Sequence, residues 1–280
     1  MKGYLTAPEH GGAPVSELAA LALRFFSAAE LDRGVPVALL VALRVAPMTV
    51  FAPWIALRGS PPLLRAALLA VLTAALLPHA LAATPTLPTD LVSLSAIGAR
   101  EVALGTMLAI ACALPLHALH ESGRLVDVLR GAQGEASGPS GERTSPLGAL
   151  QLLLGTSLFL AVGGHRFVIS ALADGLHTIP PGSGSVGRDA FLEVGRALSH
   201  TLTLAVSFAA PALLALVVSD VALGLVARSA PQIPVHFAGM PLRSAVGIAA
   251  LLLSLALLVP HLGELFGWAA ALVRALLVGG

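Results

Sequence analysis

Six apolar stretches, at residues 35–57, 63–83, 97–119, 147–173, 198–226 and 246–273, dominate this chain and set what it can become. The first holds 23 residues. That is about 34 Å of helix, enough to cross a hydrocarbon core of about 30 Å. The connections are short and full of breakers: Arg58-Gly59-Ser60-Pro61-Pro62, Thr84-Pro85-Thr86-Leu87-Pro88 and Pro180-Pro181-Gly182-Ser183-Gly184. Only 11% of residues are charged and 56% are hydrophobic, with mean hydropathy +0.89. A soluble domain carries about 25% charged residues. The 16 basic and 15 acidic side chains cannot clothe a water-facing surface for 280 residues. The expected fold is therefore all-α, a multispanning helical membrane protein with kinked hairpins, forming a single unit over 1–280 with no soluble domain. Soluble enzymes are excluded. So are nucleic-acid binders, because a net charge of +1 offers no basic patch for phosphates. The lone Cys112 rules out an internal disulfide framework. Residues 1–14 are polar and contain Gly and Pro, so no cleaved signal peptide is expected. Val15, Leu18, Leu21, Ala22, Phe25 and Phe26 then recur at helical spacing, which predicts an amphipathic leading helix over 15–29.

The apolar stretches are unusual as lipid-facing spans. Pro47, Pro53, Pro78, Pro115, Pro211 and Pro260 lie inside them, and each removes a helix hydrogen bond and predicts a kink. Carbonyls freed in hydrocarbon need a polar partner. Arg44 lies near the middle of the first stretch and Asp220 deep in the fifth. A charge at the bilayer centre costs about 2.5–3.5 kcal/mol on insertion scales. We expect these helices to pack against other proteins or to line a wet cavity. Asp220 is expected to be paired, with Arg228 two turns on or with a partner chain. Lys and Arg do not orient the chain: grouping alternate segments puts seven on each side.

Chemistry-bearing patterns are weak. His117, His120 and Glu121 share a helix face, but zinc wants further ligands and no paired His or Cys motif supplies them, so a structural role is expected. Gly138-Pro139-Ser140-Gly141 has the form of an intramembrane serine-protease motif, yet it sits in the Gly/Ser/Pro-rich run 131–146, which cannot hold a nucleophile in line. Gly263 and Gly267 make a small-xxx-small pair, a weak signal for close helix approach. No P-loop, dinucleotide fingerprint or carboxylate pair is visible, so neither an enzymatic activity nor a cofactor is expected. A secondary transporter for a small solute is the rival reading, motivated by Arg44, Asp220 and the broken helices. No internal symmetry supports it.

A series of local patterns carries a more specific signal. Gly123-Arg124-Leu125-Val126-Asp127-Val128-Leu129-Arg130-Gly131-Ala132 is followed by Thr144-Ser145-Pro146-Leu147-Gly148, then Leu158 to His165, then Ile179-Pro180-Pro181-Gly182. Asp220, Gly224, Arg228, Pro231 and Gln232 run into Gly239-Met240-Pro241-Leu242-Arg243. Upstream, Arg44, Arg65, Pro78, Glu101 and Gly105 fall in matching order. From about residue 35 to 247 the chain resembles the FliR/SctT family of export-gate subunits. The Asp127-x-x-Arg130 run and Met240-Pro241-Leu242-Arg243-Ser244 are more similar to the injectisome branch than to the flagellar one.

The resemblance implies a component of the type III secretion export apparatus in the bacterial inner membrane, within the basal body. It would join P/SctR-like and Q/SctS-like subunits in a hetero-oligomeric export gate, the pore through which unfolded polypeptides pass. A switch protein of SctU/FlhB type and an export-gate ring of SctV/FlhA type are the further implied partners. In the family, the segment matching 131–146 is a pore plug, which here would involve Gly131, Gln133, Gly134, Glu135, Ser137, Gly138, Pro139, Gly141, Glu142 and Arg143. Arg44, Glu101, Asp127, Asp220, Arg228, Pro231 and Gln232 are the candidate interface or structural residues.

Overall fold

The computed structural model of the chain describes residues 28–54, 61–84, 87–88, 90–131, 145–183, 187–230, 232, 235–258 and 262–278. Among the described residues there are nine helices and no strand: α1 Ala28–Val45, α2 Met48–Phe51, α3 Pro62–Ala83, α4 Leu91–Leu129, α5 Pro146–Ala161, α6 Gly164–Thr178, α7 Arg188–Ser229, α8 Val235–Leu258 and α9 Leu262–Val278. The chain is an all-α membrane protein. Four helical stretches are long and apolar enough to cross a bilayer, and the bent α5–α6 pair would make a fifth.

Helix starts follow ordinary capping chemistry. The Asp90 side chain accepts the Ser93 N–H at 2.9 Å to open α4, and Ser145 accepts the Gly148 N–H at 3.2 Å to open α5, with Pro146 in the first turn. Pro61 and Pro62 open α3 in the same position. The 39 residues of α4 and 42 of α7 give rods of about 58 and 63 Å, twice a hydrocarbon core. Around α4 are packed α1, α2, α5, α7, α8 and α9, while α3 lies outside against α1 and α6.

Packing explains why α4 and α7 can lie close. Ala190, Ala197, Thr201, Ala205, Ala209 and Ala212 form one buried face of α7, a stripe of small side chains that lets two backbones approach. The main core joins α1, α2, α4, α6 and α9 through residues such as Val41, Met48, Leu108, Leu116, Leu176 and Leu276. A smaller cluster of Val126, Leu147, Ala212, Leu216 and Leu251 ties the far end of α4 to α5, α7 and α8.

Several boundaries differ from the apolar stretches. The stretch 35–57 is not one helix: α1 stops at Val45 and α2 restarts after Pro47, which has no N–H to continue the ladder. Arg44 sits in the last turn of α1, which is still near the middle of the candidate span Gly34–Phe51 that α1 and α2 make together. The stretch 97–119 extends to 91–129: after Leu119 the buried His120, Ser122 and Asp127 turn into the fold, while Glu121 and Arg124 form an exposed pair on the other side. The stretch 147–173 is broken at Gly163, whose φ of 84° is the left-handed region that glycine tolerates, and the two halves bend by 68°. The stretch 246–273 is shared between α8 and α9. Pro78, Pro115 and Pro211 lie inside continuous helices, each deleting one bond without ending its helix. Of the leading helix over 15–29, residues 15–27 lie outside the described residues, as does Pro260.

Candidate functional site

Three polar clasps join elements far apart in sequence. The deepest centres on Arg44 and Glu101, which are only 2% and 1% exposed. Arg44 Nε donates to Glu101 Oε2 at 2.5 Å, and its Nη1 donates to the Ile179 carbonyl at 2.8 Å. The other carboxylate oxygen accepts the Gly182 N–H at 3.0 Å. One ion pair thus binds α1 to α4 and both to the Ile179-Pro180-Pro181-Gly182 turn ahead of α7. Burying two charges is costly, and such a pair holds only where further hydrogen bonds satisfy its remaining polar atoms. Here the turn supplies one donor and one acceptor, while Arg44 Nη2 has no partner among the described residues. Gly105 makes the crossing possible: a Cβ there would lie 2.0 Å from the Arg44 carbonyl oxygen.

The second clasp is Asp127, fully buried near the end of α4. Its Oδ1 accepts from Arg130 Nε at 2.6 Å, and its Oδ2 accepts from the Ser145 hydroxyl at 2.6 Å and the Leu147 N–H at 2.9 Å. A carboxylate at the start of α5 satisfies an otherwise unpaired N–H and meets the positive end of the helix. The two helices touch backbone to backbone one turn below, where a Cβ on Gly123 would lie 2.6 Å from the Gly148 nitrogen. Beside it the Ser122 hydroxyl donates to Gln151 Oε1 at 2.5 Å, both side chains being buried.

The third clasp corrects an expectation. Asp220 pairs with Arg243 of α8, not with Arg228: Arg243 Nε donates to Asp220 Oδ1 at 2.5 Å. Arg228 lies about two turns further along α7, in its last turn. The Asp220 and Arg243 side chains are 43% and 36% exposed, so the pair is not buried within the chain. Gln232 is exposed in the turn between α7 and α8, while Pro231 lies outside the described residues. Of the plug candidates, Gly131 closes the end of α4 at φ 72°. Gln133, Gly134, Glu135, Ser137, Gly138, Pro139, Gly141, Glu142 and Arg143 lie outside the described residues, as does Ser140.

The remaining patterns point apart. His117 Nε2 is 3.4 Å from the Phe51 carbonyl, and His120 Nδ1 is 3.3 Å from Glu121. Among the described residues no group of three His, Cys, Asp or Glu is placed to hold a metal. A Cβ on Gly267 would meet nothing within 4 Å among the described residues. At the other end of α4, the Ser93 side chain and N–H beside Asp90 hold its carboxyl below the usual carboxylate range. Sequence reasoning missed Arg243 as an ion-pair partner, the Ser122–Gln151 contact and the Ala stripe of α7. Only the stripe left a signal, small residues recurring at spacings of four and seven.

What these clasps make is a scaffold: in each a cation and a carboxylate are paired, and the Ser145 hydroxyl beside Asp127 ties the start of α5 to α4. The class is an all-helical membrane scaffold whose polar groups are spent on holding helices together. The sequence matches bacterial export proteins, family 1, over residues 35–268. The chain belongs to that family, the family of FliR and SctT. It is 36% identical over 157 residues to the secretion system apparatus protein SsaT of Salmonella typhimurium, covering 55% of this chain and 61% of that protein. It is 27% identical over 231 residues to the flagellar biosynthetic protein FliR of Escherichia coli, covering 80% and 86%. The Yop proteins translocation protein T of Yersinia pestis is 30% identical over 181 residues, covering 62% and 67%. The match to SsaT thus spans about three fifths of that relative's length. The family is one of export-apparatus components and not of enzymes.

Proposed function

We propose that this chain is a subunit of a type III secretion export gate in the bacterial inner membrane. There it forms, with P/SctR-like and Q/SctS-like subunits, the pore through which unfolded polypeptides enter the secretion path. The observation that carries this reading is the outer face of α7. Phe191, Leu198, Leu202, Val206, Leu214, Val218, Val221 and Leu225 are all exposed at helical spacing. From residue 191 to 225 that stripe runs about 51 Å, far beyond the roughly 30 Å that lipid tails cover, even allowing for a tilt of 40°. Apolar surface that long needs protein around it. The names of SsaT, FliR and the Yop translocation protein support secretion as the process.

In the same reading the exposed Asp220–Arg243 pair and the turn carrying Gln232 face neighbouring subunits or the switch protein, and the gate meets an SctV/FlhA-like ring. Residues 131–146 act as the plug. Asp127 would hold both roots of that segment, since its carboxylate takes Arg130 on one side and Ser145 on the other. Co-expression with the P-like and Q-like subunits is expected to yield one co-purifying complex, whereas the chain alone aggregates or is degraded. A monodisperse, long-lived monomer in detergent contradicts the proposal. Deleting residues 134–142 is expected to leave the complex intact and make the membrane leak ions; a tight membrane would remove the plug role and leave the subunit role standing.

A further inference from the structure

The bend between α5 and α6 opens a cavity of about 320 Å³ against α9 and the middle of α4. Its walls include Cys112, Phe159, Val168, Phe266, Ala270 and Val273. That volume lies at the lower end of the range for small-molecule sites, about 300–1,000 Å³. The packing around it is tight rather than loose: Phe159 stacks on Phe266 at 5.2 Å, and a Cβ on Gly164 would strike the Phe159 ring at 2.2 Å. The cavity lies at the 68° bend, between α6 and α9, which touch elsewhere along their length.

Two features say what fits there. The mouth opens onto apolar exterior, since Leu160, Val162 and Phe167 beside it are exposed. A ligand arriving from water would meet the wrong surface; one arriving from the bilayer would slide in from its own medium. The second feature is Arg274, the one charged residue among those lining the cavity. Among the described residues its Nε makes only a long 3.4 Å contact with the Ala270 carbonyl, leaving the guanidinium available at the rim. An apolar hole with one cation at its edge complements an amphiphile with an anionic head.

We infer that this cavity is a lipid site: it takes one acyl chain of an anionic phospholipid, with the headgroup phosphate against Arg274. The bound chain fills the space left by the α5–α6 bend and joins α9 to the rest of the bundle. The site belongs to this chain's own helices and does not depend on the export-gate reading.

The test uses the full-length chain, in the complex in which it purifies, in nanodiscs of phosphatidylcholine doped with phosphatidylglycerol. The phosphatidylglycerol carries a photoreactive diazirine at the end of one acyl chain. Adducts are expected on peptides covering residues 266–274 and 162–168. Ala270→Trp fills the cavity and removes them. Arg274→Gln keeps the cavity and lowers the preference for phosphatidylglycerol over phosphatidylcholine about fivefold, the weight of one cation near an anionic headgroup. Because Arg274 is at the rim, that variant folds even if the tryptophan does not. Adducts confined to the outer faces of α5 and α6, indifferent to both changes, would overturn the site. So would capture of another subunit by a bifunctional maleimide on Cys112 without any lipid adduct, since a protein side chain would then occupy the cavity.

Discussion

The two ends of this molecule use the same bond in opposite settings. Arg44 and Glu101 form an ion pair sealed among α1, α4 and the turn before α7, with exposures of 2% and 1%. Asp220 and Arg243 form one of equal length between α7 and α8 with both side chains more than a third exposed. The most apolar part of α4 is 72% buried and that of α7 only 28%. Equal geometry therefore carries unequal weight. Among the described residues α4 is largely enclosed, whereas the α7–α8 hairpin leaves its pair and many apolar side chains exposed.

The comparison can be broken most directly at the two pairs. Arg44→Ala strands Glu101 without its cation in a dry site, a change expected to cost about 3–5 kcal/mol. Asp220→Ala removes an exposed pair and is expected to cost at most about 1 kcal/mol of this chain's stability. Denaturation of the purified complex, or steady-state level in membranes, separates the two. Equal losses would mean that the outer pair is buried by a neighbour to the same degree as the inner one.

Glycine substitution sharpens the contrast. Gly105→Ala drives a methyl into the Arg44 backbone and is expected to cost about 3 kcal/mol, the upper end for overpacking. Gly224→Ala in α7 meets nothing within 4 Å. It is expected to be neutral or to gain up to about 1 kcal/mol from helix propensity. If the chain is unharmed while complex yield falls, a partner helix lies against Gly224.

Asp127→Ala comes next. It leaves Arg130, Ser145 and the Leu147 N–H without their acceptor, a loss of about 2 kcal/mol by the usual weight of bonds to a charged group. Protease sensitivity at the start of α5 reads it out, and unchanged protection there would remove the clasp. Asp90 is the smallest case. Its carboxyl is held below the usual range by Ser93, so its contribution is present above the unfolded value and fades as pH falls through the folded one. Asp90→Asn keeps the cap without the charge, so thermal scans run from neutral pH down through the carboxylate range should lose that small acid-side decline.

Much of this fold was legible in the chain, and the failures have separate physical causes. Long apolar stretches located the helical body, because a continuous apolar run of that length satisfies its backbone in lipid as a helix. They misplaced its boundaries wherever polar residues turned inward. His120, Ser122 and Asp127 read as the end of a span, yet they are buried and bonded in the last turns of α4. Arg44 was visible as a costly charge and Glu101 only through the family resemblance; 57 positions separate them, and only the folded crossing at Gly105 brings them together. The Asp220 partner was misread for the opposite reason. Arg228 is near along the helix, but Arg243 is near across the α7–α8 hairpin. Sequence spacing ranks the first contact and says nothing of the second.

The central claim is that protein, not lipid, covers the outer face of α7. Single cysteines at Leu198, Val206, Leu214, Val221 and Leu225, each carrying a nitroxide in the complex in nanodiscs, report it through their accessibility to oxygen dissolved in the bilayer. The account predicts low accessibility at all five positions in the complex. High accessibility along the whole stripe would show α7 bathed in lipid, and the export-gate packing proposed for it would be wrong.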